Sequence, residues 1–178
     1  MKVLLIRHFK VDHAWKRHCT SKEYDEELFN YNLKPVIETK PLDSSINTVY
    51  ISTLTRTAQT AKHLTGEKTI IQTALVNEVD LRGSTRLAWR MPITLRSLLS
   101  FIKWRVNYKK QNESSKQTRL RAHNFLKMIE QKGDDCIVVS HGLFLMVLMD
   151  MMIQKSFKCN KKDKRFRNGE IAELTKLH

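Results

Sequence analysis

The chain opens on "KVLLIRHFK", where an apolar run over residues 3–6 stops at Arg7 and His8. An unbroken apolar run of this length predicts a strand buried on both faces, as in a parallel sheet. "TVYIST" over 48–53 repeats the pattern, "TIIQTAL" over 69–75 predicts a third strand, and 136–139 in "DDCIVVSHG" a fourth. "GEIAELTK" closes the series with a short strand. The segment "TLTRTAQTAKHLTG" has helical spacing, with a threonine-rich start and Gly66 as its stop. "GLFLMVLMDMM" is apolar almost all round, as a buried helix is. Strands alternating with helices predict an α/β fold, a three-layer sandwich with a mainly parallel central sheet.

Between the third and fourth strands the pattern predicts mostly helix. In "PITLRSLLSFIKWRVNY", Leu95, Leu98, Leu99, Ile102 and Val106 fall at helical spacing, with Pro92 ahead of the start. A second helix over 115–131 ends at Gly133 and gathers Ala122, Phe125, Leu126 and Ile129 on one side. The expected organisation is a single domain over 1–178 with a helical insert at about 84–132. Trp89 and Trp104 in that insert are read first as core residues, with lid or dimer contact as the alternatives.

Composition changes this picture little. With 41% hydrophobic and 28% charged residues the chain is ordinary for a folded domain. The apolar stretches are too short for a secretory leader or a membrane span, so a cytoplasmic address and no membrane partner are expected. Cys19, Cys136 and Cys159 form no metal-ligand or disulfide pattern.

Charge changes it more. The net charge is +14. Residues 82–132 hold thirteen basic and two acidic side chains, and residues 155–168 seven and one. A basic surface facing a cleft attracts anions. The bland reading is amphipathic helices with solvated faces.

Three places repeat one theme, a strand followed by a basic or imidazole side chain: "LLIRHFK", "YISTLTRTAQTA" and "IVVSHGLF". In a parallel sheet these exits share one edge, where ligands are held. Arg7, His8, Arg56 and His141 then converge with no carboxylate among them. Such a cluster suits an anion, and forked guanidiniums fit phosphate. The helix beginning near Thr55 adds its N-terminal dipole.

These stretches resemble the three signatures of the histidine phosphatase superfamily, the phosphoglycerate mutase-like fold. That family opens with a strand into R-H-G, continues with S-x-L-x-R-A-x-Q-T-A, and closes with a strand into S-H-G or T-H-G. The second signature matches at Ser52, Leu54, Arg56, Gln59, Thr60 and Ala61. The likeness spans residues 2 to about 175 and is weakest in the helical insert.

The resemblance implies a metal-independent phosphatase that hydrolyses a phosphomonoester through a phosphohistidine on His8. Arg7 and Arg56 would clamp phosphate and keep His8 neutral. His141 would donate a hydrogen bond to the phosphoryl oxygens. A general acid is expected after the third strand, at Glu78, with Asp80 as runner-up. The resemblance implies no cofactor and no metal. The expected partner is a small anionic phosphorylated substrate.

The first signature departs from the family: its glycine is Phe9, and Val11 and Ala14 replace residues that help hold phosphate. Phe9 reads either as an apolar wall at the entrance or as a packing residue, and Lys10 either as a compensating cation or as solvated. An alternative reading is a catalytically weak family member that binds RNA or another polyanion through its basic stretches, nucleic acid being the less favoured partner. A phosphoglycerate mutase is a more distant alternative. The substrate's identity and the oligomeric state are not legible.

Overall fold

Four parallel strands carry the centre of the protein: β1 (Lys2–Arg7), β3 (Thr48–Ile51), β4 (Thr69–Gln72) and β6 (Cys136–Ser140). The computed structural model describes residues 1–37, 41–66, 68–81, 89–109 and 111–176. β8 (Ile171–Thr175) pairs antiparallel with β1, and β7 (Lys158–Cys159) with β8. The strand order is β4-β3-β6-β1-β8-β7. A separate two-stranded ribbon joins β2 (His18–Cys19) to β5 (Met91–Pro92). The expected α/β architecture with a mainly parallel sheet is thus the one observed.

Alternation along the strands divides the interior in two. Val3, Leu5, Tyr50 and Val138 face one layer, whereas Leu4, Ile6, Val49, Ile51, Ile137 and Val139 face the other. The second face is covered by α2 (Thr55–Thr65) through Ala61 and Leu64. The first is covered by α4 (Ser115–Lys132) and α5 (Gly142–Gln154), with Trp104 of α3 (Ile93–Arg105). Each buried aliphatic or aromatic side chain contributes about 1.5–3 kcal/mol. Gly66 at φ 58° and Gly133 at φ 73° end α2 and α4 in backbone that side chains resist, as their positions predicted.

Three expectations need correction. The third strand stops at Gln72, because a single 3-10 turn at Ala74–Val76 follows. α4 places its predicted apolar side, Ala122, Phe125, Leu126 and Ile129, in the main core. The start of the basic stretch, 82–88, falls outside the described residues. α3 is a helix as predicted, but it buries Arg96, Ser100 and Trp104 and leaves Leu95, Leu98, Ile102 and Val106 exposed. Trp104 is core and Trp89 is not, being 76% exposed.

α1 (Ser21–Leu33) escaped the hydrophobic pattern because it buries only Tyr24 and Glu27. Its start is fixed by a capping box, in which Thr20 accepts from the Glu23 N–H and Glu23 accepts from the Thr20 N–H.

Candidate active site

The three strand exits meet, as the parallel arrangement requires. Arg7 is level with Ser140 and Ile51 with Val139, so the next residues of all three strands emerge together. These are His8, Ser52 and His141. Arg56 rises beside them from the first turn of α2.

His8 is 2% exposed. Its Nδ1 lies 2.6 Å from the Phe9 carbonyl, which can only accept, so Nδ1 carries the proton. Nε2 is then the lone-pair nitrogen, and the Arg56 Nε–H donates to it at 3.2 Å. Burial first, and Arg56 and Arg7 after it, lower the pKa of His8 to about 3, the Phe9 bond opposing them. The imidazole is neutral near pH 7.

The same Arg56 N–H donates to Nδ1 of His141 at 3.2 Å. His141 therefore holds its proton on Nε2, 2.8 Å from Ser52 Oγ. It is wholly buried, and burial followed by the Arg56 charge keeps it neutral. Asn32 accepts from another Arg56 nitrogen, and the Tyr31 ring lies 5.2 Å from the guanidinium carbon. Sequence reading missed these two partners, since both stand on α1.

Arg7 donates to the Phe166 carbonyl at 2.7 Å, while its buried Nε has no hydrogen-bond partner among the described residues. A Cβ on Gly142 would stand 3.3 Å from the Arg7 Cζ and Nε, so the glycine of "SHG" lets the guanidinium lie against the start of α5. Two guanidiniums and a helix N-terminus thus surround one small volume. That arrangement favours an anion.

Two carboxyls, Glu78 and Asp80, line the cavity beside these guanidiniums, and Glu78 is the more buried. Its Oε1 accepts from the N–H groups of Val79 at 3.0 Å and Phe144 at 3.3 Å. Burial raises its pKa, with those bonds and the two arginines opposing. Asp80 is exposed and accepts from Asn112. The strand-end loop bearing Glu78 is braced by Arg121, which donates to the carbonyls of Leu75 and Asn77 at 3.0 and 2.7 Å. Arg121 also pairs with Glu113 and lies over the Phe144 ring.

Arg7, His8, Arg56 and Glu78 line the floor of a cavity of about 680 Å³, with Tyr31 and Trp15 on its wall. Phe9 is not at its entrance. The ring is 1% exposed, packed with His63 at 5.7 Å and within the core cluster of Leu4, Ile6 and Ile51. Val11 is likewise buried, while Lys10 and Ala14 are exposed and do not line the cavity. Residues of the second signature hold this altered loop: Thr60 accepts from the Phe9 N–H and Gln59 from the Val36 N–H.

A family model described as histidine phosphatase superfamily (branch 1) matches residues 39–175. Arg7 and His8 precede the matched stretch. No curated protein matches the chain. Among solved structures, the product of open reading frame Rv3214 from Mycobacterium tuberculosis is 22% identical, with 99% of this chain and 92% of that one covered and a TM-score of 0.59. An alpha-ribazole phosphatase from Shigella flexneri is 18% identical over 97% and 89% of the two chains, TM-score 0.59. A phosphoserine phosphatase from Entamoeba histolytica, in complex with phosphoserine, is 16% identical over 97% and 89%, TM-score 0.57.

Proposed function

The chain belongs to the histidine phosphatase superfamily (branch 1), and we propose that it hydrolyses a phosphomonoester, without a metal, through a phosphohistidine on His8. One observation carries this reading: the Phe9 carbonyl fixes the His8 proton on Nδ1 and so leaves Nε2 as a neutral nucleophile beside two guanidiniums.

In the first step the phosphoryl group occupies the space between Arg7 and Arg56. Arg56 turns its N–H from the imidazoles to the phosphoryl oxygens, and the His8 Nε2 lone pair attacks phosphorus. The bond to the leaving oxygen breaks as Glu78, whose pKa burial raises, gives that oxygen its proton. With Arg56 withdrawn, His141 donates to a phosphoryl oxygen from Nδ1. This requires the other tautomer, which the Ser52 hydroxyl accommodates by donating to Nε2 instead of accepting from it. In the second step Glu78, now a carboxylate, takes a proton from water, whose oxygen attacks phosphorus. The N–P bond breaks, and His8 returns neutral as phosphate departs.

The polyanion-binding alternative loses part of its footing, since Arg96 and Arg121 of the basic stretch are engaged with backbone carbonyls. The proposal is tested by hydrolysis of an aryl phosphate in the presence of a chelator, by the native protein and by His8→Ala. Chelator-resistant turnover abolished in the variant supports it. Turnover that the chelator removes, or that His8→Ala retains, overturns it.

A further inference from the structure

α3 is built inside out. Its inward residues include Arg96, 1% exposed, which donates to the carbonyls of Cys19 and Trp89 at 2.8 and 2.6 Å. Its outward stripe is apolar: Leu95, Leu98 and Ile102 are 43%, 52% and 45% exposed, and Val106, just past its end, is 65% exposed. Just before the helix, Trp89 is 76% exposed although its backbone is pinned by that buried arginine. An apolar stripe of this kind on a stable surface marks a contact.

The charges around the stripe identify what it contacts. At about 100° per residue, the exposed Arg105 falls about 40° from the Leu98–Ile102 line, at the edge of the stripe, while Lys103 lies about 120° away, toward Arg96. Between Asp80 and Glu113 the sequence contains no acidic residue and eight basic ones. A second copy would bring the same cationic edge against this face, in a chain already carrying +14. A surface of negative charge over an apolar interior complements both features, with an exposed tryptophan and a cation at the edge of the apolar stripe, as interfacial helices use them. We propose that the outward face of α3, with Trp89, is a peripheral docking surface for an anionic lipid bilayer. No helix among the described residues is long and apolar enough to cross a membrane, and this contact needs none.

The test is sedimentation of the full chain with phosphatidylcholine vesicles, with and without phosphatidylglycerol, at low and raised salt. Association is expected with the anionic vesicles only, weakening with salt. L98E/I102E is expected to weaken it about tenfold or more while keeping the aryl phosphatase rate and the unfolding midpoint. Arg105→Glu with Lys109→Glu, which reverses the exposed cations at and just beyond the end of α3 and leaves the stripe intact, is expected to remove the preference for anionic lipid. Absence of association, equal association with both vesicle types, or undiminished association of both variants overturns the proposal. So does a native dimer in sedimentation velocity that L98E/I102E splits.

Discussion

The Nε of Arg56 stands 3.2 Å from Nε2 of His8, its N–H directed at the lone pair proposed to attack phosphorus. Arg56 is 4% exposed, and its charge adds to burial in keeping both imidazoles neutral. Lysine at this position has neither the planar fork nor the same reach. Arg56→Lys is expected to lower kcat/KM by about 100-fold or more. Steady-state kinetics on an aryl phosphate check this, alongside a circular dichroism spectrum matching the native one.

Glu78 is assigned the proton that the leaving oxygen needs. Alkyl phosphates have poor leaving groups and depend on it, whereas a nitrophenolate leaves without help. Glu78→Gln is therefore expected to slow the first step about 100-fold for an alkyl ester and far less for nitrophenyl phosphate. Single-turnover measurements on the two substrates separate the effects. Equal losses contradict the assignment, and the companion variant Asp80→Asn is expected to change neither rate.

Acid should destabilise the protein through its buried imidazoles. His8 has a folded pKa of about 3. Its unfolded value is about 6.5, so its contribution to stability is full above that value and is lost as pH falls toward the folded one. Between about pH 7 and about pH 5 His8 accounts for about 2 kcal/mol of lost stability. Glu78, whose pKa is raised, acts in the opposite sense, so the clean readout is a difference between proteins. Urea unfolding of the native chain and His8→Gln at the two pH values should show the variant losing about 2 kcal/mol less.

Phe9 stands where the family has glycine, yet its ring lies in the core rather than in the cavity. Phe9→Ala should cost about 3 kcal/mol of stability. KM for an aryl phosphate, measured below the variant's unfolding midpoint, should stay within about threefold of the native value. A large KM change with unaltered stability would place Phe9 at the substrate instead.

The parts of this site legible in the sequence were those on parallel strands. Buried strands read as continuous apolar runs, and their ends announce themselves by Arg7, His8 and His141. Ser52 and Arg56 were legible because they stand beside such an end in a dense signature. Tyr31 and Asn32 were not, because α1 exposes Phe29 and Leu33 and so carries no apolar stripe facing the core. The Thr20–Glu23 capping box was the available signal for that helix. In α3 the period was read correctly and the face was not. Arg96 decides the orientation through the carbonyls of Trp89 nearby and of Cys19, 77 residues away, and the second of these no local pattern encodes.

The central claim is the covalent phosphohistidine. Rapid acid-free quenching of the enzyme during turnover of a phosphorus-labelled aryl phosphate, followed by mapping of the labelled peptide, tests it most directly. The account predicts an acid-labile, base-stable label on the peptide containing His8, discharged on further incubation and enriched in Glu78→Gln, where water attack lacks its base. Label on any other residue, or steady turnover with no label trapped in either protein, contradicts it.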